Sequence, residues 1–147
     1  MTHREFMTRA LELAKESGSE GEVPVGAVIA KNGEIIAEGR NRRETMKTAL
    51  GHAEIEAIHR ACVKLGSWRL SGCTLYVTLE PCPMCAGAII NARLDKVVYG
   101  AYDLKAGSVS SVTDLFNREY NHRPDVQEGF MENDCRKLLT EFFEKLR

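Results

Sequence analysis

The sequence lacks long apolar runs and has almost no excess of charge of either sign. Although 44% of its 147 residues are apolar, no run approaches the roughly 18 apolar residues that a membrane span needs. The first ten residues contain no apolar secretory segment, so we expect a cytoplasmic protein without a membrane partner. A net charge of −1 gives no overall electrostatic footprint for nucleic acid, so any such binding must depend on a local basic patch.

The chain also lacks internal repeats, low-complexity tracts and an obvious linker. Its length is that of one ordinary domain, so we expect a single domain over residues 1–147 without a separate cofactor module. Five cysteines are an odd number, and a reducing compartment argues against a disulfide framework. The cysteines are therefore expected to be buried small hydrophobes or metal ligands.

Patterns typical of helices and of strands alternate along the chain. Apolar residues at helical spacing predict a first helix over 6–14 that stops at Gly18. Asn32-Gly33 stands between two apolar runs and predicts a hairpin, because both central residues of that turn need positive φ. The remaining expected elements are, in order, a helix from His52 to Gly66, a strand at 75–79, a helix from Pro83 to about Arg93, a strand at 97–99 and a last helix with Met131, Cys135, Leu138, Leu139, Phe142 and Leu146 on one face.

This order of elements indicates an α/β fold in which helices cover both faces of a mixed sheet. The least regular stretch, residues 103–127, is rich in Ser, Asn, Gly and Pro and is a candidate binding surface. The helix that starts at His52 is expected to bury the stripe Ile55, Ile58, Cys62 and Leu65.

Two short segments combine residue types that bind metals. His52 and Glu54 form one, and Cys82 and Cys85 form the other, thirty residues after the histidine. One imidazole and two thiolates suit zinc and leave a fourth tetrahedral position for water. With Cys82 near a helix cap and Pro83 at the first helical position, Cys85 falls on the same face as Cys82.

His52 and Glu54 can share a site only at the start of a helix. Two residues apart, they would lie about 200° around the middle of a helix from one another. At a helix start both can face one site, and the apolar stripe from Ile55 predicts such a start. Two thiolates neutralise the charge of zinc, so a bound water is less acidic than at an all-histidine site. We therefore expect Glu54 to act as the general base and acid, without binding the metal.

Each motif alone is weak evidence for a catalytic metal. Cys-x-x-Cys also occurs in redox pairs and structural half-sites, and a closed structural site would need a fourth Cys or His. The nearest candidate, His59, lies about 10 Å along the helix. The other three cysteines are expected in the core and two further histidines on the surface: Cys62, Cys73 and Cys135, and His3 and His122.

The combined pattern, His-x-Glu followed by Pro-Cys-x-x-Cys, is the signature of zinc deaminases that act on nucleobases. Nearly the whole chain resembles bacterial tRNA-specific adenosine deaminases, most clearly at 22–27, 74–89 and 97–101, with Asn121-His122 and the segment 135–143 adding to the likeness. The resemblance implies a homodimer with a cytidine deaminase-like fold, three α/β/α layers around a five-stranded mixed sheet. It implies conversion of the wobble adenosine of a tRNA anticodon to inosine.

The resemblance also implies roles for individual residues. By this resemblance, His52, Cys82 and Cys85 bind one zinc ion per chain, and Glu54 carries the proton. Asn41 and Ala53 are expected to bind the target base. Because the net charge supplies no general attraction for RNA, a local patch around one mouth is separately expected to meet the anticodon stem-loop, and its residues are Lys105, Asn121, His122, Arg123, Phe143 and Arg147.

One departure from the family and two rival functions remain. The family usually has Pro-Thr-Ala before the histidine, whereas this chain has Ala49-Leu50-Gly51, a change at the rim of the expected pocket. The same chemistry on a free nucleobase or nucleotide, of guanine or cytosine type, therefore remains an alternative. A zinc-stabilised RNA-binding module without catalysis is a third, which Glu54 disfavours because a structural site has no use for an unliganded carboxylate.

Overall fold

The computed structural model describes residues 1–146 and consists of one β-sheet flanked by helices. Arg147 lies outside the described residues. The elements are α1 His3–Ser19, β1 Gly26–Lys31, β2 Glu34–Arg40, α2 Ala53–Leu65, β3 Cys73–Leu79, α3 Pro83–Asn91, β4 Lys96–Ala101, a 3₁₀ turn at Leu115–Asn117, β5 Asp125–Gln127 and α4 Glu132–Lys145.

The sheet is mixed and has the strand order β2-β1-β3-β4-β5. Strand β1 runs antiparallel to β2 and β3, whereas β4 runs parallel to β3 and β5. The carboxyl ends of β2, β3 and β4 and the amino end of β1 consequently lie at one edge of the sheet. Loops that leave this edge can meet, which is the usual origin of a binding crevice in α/β sheets.

Helices cover both faces, so the expected three-layer α/β/α arrangement is confirmed. One core cluster joins α2 and α3 to Leu75, Val77 and Val97 of the sheet. The other cluster joins α1 and α4 to Tyr76 and Val98. Because successive residues of a strand point to opposite faces, the continuous apolar runs of β3 and β4 supply both cores.

Several expected boundaries change in the structure. The first helix runs through Gly18 to Ser19, and the chain reverses at Gly21, whose φ of +83° is open to glycine without strain. Strand β3 begins at Cys73, two residues earlier than expected. Strand β5 lies in the stretch expected to be irregular, because a three-residue edge strand leaves almost no periodic signal. The Asn32-Gly33 hairpin is confirmed by φ values of 52° and 78°.

Helix α2 presents small residues to the sheet in place of the predicted stripe. The residues of α2 that are buried are Ala53, Glu54, Ala57 and Ala61, whereas Ile58, Cys62 and Leu65 are only partly buried. The reason is the close approach of the helix to β2. A Cβ atom at Gly39 would lie 2.2 Å from the Ala53 carbonyl oxygen and 2.7 Å from the Ala57 nitrogen.

The predicted apolar face of α4 is only partly covered. Cys135 is buried against Gly100, where a Cβ atom would lie 2.3 Å from the cysteine sulfur. The residues of α4 that pack against the core extend to Leu139. Leu146, the C-cap residue of α4, is 69% exposed, so this end of the predicted apolar face is not covered by the core.

We expect Gly39→Ala to lower the free energy of unfolding by about 1–3 kcal/mol, because the added methyl group must push α2 away from β2. Gly87→Ala is the matched control, since a Cβ atom there meets nothing within 4 Å. In the helical position of Gly87, alanine should stabilise by up to about 1 kcal/mol. Urea denaturation of the three proteins measures both changes, and equal stability of Gly39→Ala and parent would contradict the close packing.

Candidate metal centre and substrate pocket

Two helix starts meet at the carboxyl edge of the sheet. His52 is the N-cap of α2, as the sequence predicted, with extended φ and ψ of −91° and 149°. Cys82 is the N-cap of α3, and Pro83 occupies the first helical position. Since α2 and α3 contact each other, their first turns bring His52, Cys82 and Cys85 to one point.

The three side chains form a compact triangle. His52 Nδ1 lies 3.6 Å from Cys82 Sγ and 3.5 Å from Cys85 Sγ, and all three atoms lie within 4.8 Å of one another. Zinc bond lengths and a tetrahedral angle require a nitrogen-to-sulfur separation of about 3.5 Å. The observed separations therefore fit a shared zinc ion.

The protonation of the two thiols also indicates a cation site. Hydrogen bonds from Cys85 and His52 lower the pKa of Cys82 to about 4, so this sulfur is a thiolate. The adjacent Cys82 and burial raise the pKa of the Cys85 thiol. The hydrogen bond to Cys82 raises the pKa of His52. A divalent cation among these atoms is the group that would allow both sulfurs to be thiolates together.

Among the described residues, no fourth His, Cys, Asp or Glu joins the triangle. Within residues 1–146, these three residues are the one group of three or more His, Cys, Asp or Glu side chains close enough to hold a metal. His59, the nearest candidate in the sequence, is exposed. Of the cysteines expected in the core, Cys73 and Cys135 are buried and Cys62 is half-buried.

Two buried carboxylates, Glu54 and Glu80, lie at the site, and only Glu54 is free to move protons. Burial raises the pKa of Glu54 to about 7, and its partners are its own backbone N–H and the Cys85 thiol. Burial alone would raise the pKa of Glu80 as well, but hydrogen bonds from Ser111 and nearby backbone amides bring it below the ordinary value. Glu80 is thus an ionised carboxylate whose oxygens already accept hydrogen bonds, whereas Glu54 can accept and release a proton near neutral pH.

A cavity of about 210 Å³ opens beside the triangle. Asn41 and Ala53, the two expected base-binding residues, both line it. The Asn41 amide donates to the Val23 carbonyl and accepts from the Arg43 N–H. One hydrogen and one lone pair of this amide remain for a ligand. The full lining is Val23, Val25, Asn41, Arg43, His52, Ala53, Glu54, Leu79, Glu80, Cys82, Asp103 and Ala106.

Lys105 and His122, two of the residues expected to meet RNA, lie at opposite ends of β4. Lys105 is exposed and lies between two pocket-lining residues, Asp103 and Ala106. His122 forms a hydrogen bond with the Leu94 carbonyl, just before the amino end of β4. The length of β4, about 20 Å, therefore separates His122 from the edge of the sheet at which the pocket lies.

The other expected contacts among residues 1–146 do not line the pocket either. Neither Asn121 nor Arg123 lines this pocket, and Arg123 lines a separate cavity with Phe116 and Val126. Phe143 is 45% exposed near the end of α4, and Arg147 lies outside the described residues. Within the described chain, β4 therefore separates Lys105 from residues 121–123, and the role of each residue in binding RNA stays a prediction.

Sequence reasoning missed two buried glutamates that anchor pocket loops. Glu22 accepts hydrogen bonds from the backbone N–H groups of Glu44 and Thr45, next to Arg43 of the pocket. Glu80 accepts from backbone amides of residues 103–111. The available signal was a carboxylate directly flanking an apolar run, where an exposed charge is not expected.

Gly51, part of the departure from the family, allows the loop before α2 to pack tightly. The Arg42 N–H donates to the Gly51 carbonyl at 2.9 Å. A Cβ atom at Gly51 would lie 3.0 Å from the Arg43 Cα atom. The missing methyl group therefore lets Arg43 approach the rim of the pocket closely.

Comparisons with known proteins identify deaminases as relatives of this chain. A family model described as MafB19-like deaminase matches residues 1–147. The tRNA-specific adenosine deaminase of Bacillus subtilis (strain 168) is 49% identical over 97% of this chain and 89% of its own length. No described helix is long and apolar enough to cross a membrane.

Solved structures give the same result at the level of the fold. A tRNA:A34 deaminase, studied for A-to-I editing at the wobble position of transfer RNA, superimposes with a TM-score of 0.90 at 44% identity, covering 92% of this chain and 99% of that chain. A guanine deaminase from Bacillus subtilis has a TM-score of 0.68 at 38% identity, covering 99% of this chain and 94% of the other. With 49% identity to this relative over 97% of the chain and a deaminase family model over residues 1–147, the chain belongs to the family of tRNA-specific adenosine deaminases.

Proposed function

We propose that the protein is a zinc-dependent hydrolytic deaminase that converts the wobble adenosine of a tRNA anticodon to inosine. The observation that carries this proposal is the triangle of His52, Cys82 and Cys85 with the buried, unligated Glu54 beside it. A single deaminase domain spanning 1–147 accounts for both the site and the family match.

The proposed metal is one zinc ion per chain, held by His52 Nδ1 and the two cysteine sulfurs. The nitrogen-to-sulfur separations of 3.5 and 3.6 Å support it, as does the mixed nitrogen and sulfur donor set. When bound, zinc supplies the acidity that makes a water molecule nucleophilic near neutral pH. The absence of a fourth ligand within residues 1–146 is consistent with an open, catalytic type of site.

Glu54 is the proposed proton carrier. With a pKa of about 7, its carboxyl group can take a proton from water and return it to a ring nitrogen and to the leaving amine. Its burial beside Cys85 keeps it within the site and away from bulk solvent. Position and proton affinity therefore support Glu54, and not Glu80, as the proposed shuttle.

Asn41 and Ala53 are the proposed contacts of the base. Asn41 is held by its two backbone hydrogen bonds, so the remaining edge of its amide has a fixed direction for a purine edge. Ala53 is at the first position of α2, where a backbone N–H has no intrahelical acceptor. A small cavity of this kind requires the adenosine to be extruded from its loop before reaction.

The comparisons do not favour a free nucleobase as the substrate. The guanine deaminase structure has a lower TM-score, 0.68, than the tRNA:A34 deaminase structure, 0.90. The identity to the tRNA-specific relative is also higher, at 49%. Ala49-Leu50-Gly51 differs from the family at the rim only, and the triangle and Glu54 are still present. This difference does not by itself indicate another substrate.

The proposed partners are a tRNA anticodon stem-loop and a second copy of the chain, in the cytoplasm. Unpaired cysteines, such as half-buried Cys62, support a reducing compartment. Exposed apolar side chains on the loops around the pocket support a second protein surface there: Met46, Leu50 and Leu104. Residues 121–123 are proposed to contact RNA at a distance from the pocket of their own chain. The full set of proposed RNA contacts is Lys105, Asn121, His122, Arg123, Phe143 and Arg147.

We expect Cys82→Ala to abolish bound zinc, because only two protein ligands would remain. Cys62→Ala is the matched control, since this half-buried thiol lies outside the triangle, and it should retain one zinc per chain. Metal content of the purified proteins by mass spectrometry measures both. Full zinc occupancy in Cys82→Ala would place the metal elsewhere.

We expect Glu54→Gln to retain its zinc and fold but to lose about 10²–10⁴-fold in turnover, the usual contribution of a general acid–base group. Glutamine keeps the volume of the buried side chain but cannot carry the proton. Glu56→Gln, two residues further on, is the control because its partners are Arg42 and Arg60. Deamination of the adenosine-containing RNA by Glu54→Gln at a rate less than about tenfold below that of the parent would refute the proposed shuttle, because such a loss is smaller than a general acid–base group contributes.

We expect Lys105→Ala to weaken turnover of an anticodon stem-loop and to reduce its dependence on salt, since each lost phosphate contact lowers the slope of log K against log salt by about 0.7–0.9. Lys64→Ala is the control, because it lies in the last turn of α2, about 18 Å along the helix from His52. Rates measured over a series of salt concentrations compare the two. An unchanged salt slope in Lys105→Ala would remove this residue from the RNA interface.

A further inference from the structure

Glu80 is a buried carboxylate that collects hydrogen bonds from a single loop. It directly follows β3 and is 1% exposed. Its Oε1 atom accepts from the Asp103 N–H at 3.1 Å and from the Ser111 hydroxyl at 2.5 Å. Its Oε2 atom accepts from the backbone N–H groups of Val109, Ser110 and Ser111 at 3.2, 2.8 and 2.9 Å.

All five donors belong to residues 103–111, which we name the β4 loop because it follows β4. The loop closes around the carboxylate with little free space. A Cβ atom at Gly107 would lie 2.4 Å from the Glu80 carboxyl carbon. The Ser108 N–H also donates to the Pro81 carbonyl at 2.8 Å, one residue before Cys82. The loop is thus attached to the segment that carries the metal ligands.

The β4 loop forms part of the wall and part of the rim of the pocket. Asp103 and Ala106 line the cavity. Between them, Leu104 is 81% exposed and Lys105 is also exposed. The Asp103 side chain accepts from the N–H groups of Lys105 and Ala106. The conformation of this rim therefore depends on Asp103, whose own N–H is held by Glu80.

We propose that Glu80 is a positioning residue, which fixes the β4 loop so that Asp103 and Ala106 wall the pocket while Lys105 faces an incoming polynucleotide. The proposal rests on the proposed function for the identity of the substrate. Because its oxygens are already occupied by five donors, Glu80 does not take part in proton transfer. Its effect is preorganisation, which acts on substrate binding through the loop.

Two substitutions disturb the same contact from opposite sides. Glu80→Gln keeps the size of the side chain but replaces one acceptor oxygen with a donor that faces the loop amides. Gly107→Ala leaves Glu80 unchanged and displaces the loop by steric conflict. Glu38→Gln is the control, because Glu38 is a partly buried carboxylate that pairs with Arg9 away from the pocket.

The experiment combines steady-state kinetics on an anticodon stem-loop RNA, zinc content and amide hydrogen exchange of the same proteins. Glu80→Gln and Gly107→Ala should retain one zinc per chain and raise KM about tenfold or more, with a smaller change in kcat, because the loop loses its buried acceptor. Exchange of the Asp103 and Val109–Ser111 amides should accelerate about tenfold or more, while β1 and β3 remain protected. Glu38→Gln should match the parent in all three measurements.

Three results would overturn the proposal. Unchanged KM in Glu80→Gln would show that the loop has no effect on substrate binding. Loss of zinc with a matching loss of kcat in Glu80→Gln would show that Glu80 stabilises the metal site instead. Faster exchange throughout the sheet would make it a residue of general stability. If the parent protein leaves the RNA unchanged, the proposed function is wrong. Hydrogen exchange of the β4 loop in Glu80→Gln then decides by itself whether Glu80 fixes the loop.

Discussion

The site depends on the meeting of two helix N-termini at the carboxyl edge of the sheet. A histidine at one helix cap and two cysteines in the first turn of another place three ligand atoms within 4.8 Å of one another. Helix starts suit this purpose because their side chains surround an open end, and their positive dipole favours thiolates. The close contact of α2 with β2 at Gly39 holds the first of these ends in position. Small residues in the core therefore contribute directly to the geometry of the metal centre.

Around this centre, three buried carboxylates have different environments and hence different roles. Glu54 has few partners, so burial raises its pKa to about 7. Glu22 and Glu80 are saturated by backbone N–H groups, and these hydrogen bonds outweigh burial, so that both have a pKa below the ordinary value. A carboxylate that remains ionised and fully bonded holds a loop, whereas one that is poised near neutrality can carry a proton. Glu54 is thus the carboxylate of the pocket whose pKa lies near neutrality, whereas Glu22 and Glu80 remain ionised and hold loops beside it.

Much of the metal site could be predicted from the sequence, because its ligands are local. The spacing of His52, Glu54, Cys82 and Cys85 and the helix starts that bear them depend on short-range rules. The roles of Glu22 and Glu80 depend on loops that are 22 to 31 residues away in the chain, and no local pattern reports such contacts. The separation of Lys105 from residues 121–123 by β4 was not foreseen for the same reason, because it depends on the path of the chain through the sheet. The alanine face of α2 was missed because burial there follows from helix-to-strand distance, which hydropathy does not encode.

Sequencing of the wobble position after reaction is the most direct test of the central claim, that this metal triangle and Glu54 deaminate an adenosine in RNA. The zinc-loaded protein is incubated with a tRNA whose anticodon begins with adenosine, and in parallel with free guanine and free cytosine, while ammonia is measured in each reaction. The account predicts one inosine per tRNA at the wobble position and no ammonia from the free bases. Ammonia from a free base, with the tRNA left as adenosine, would contradict it.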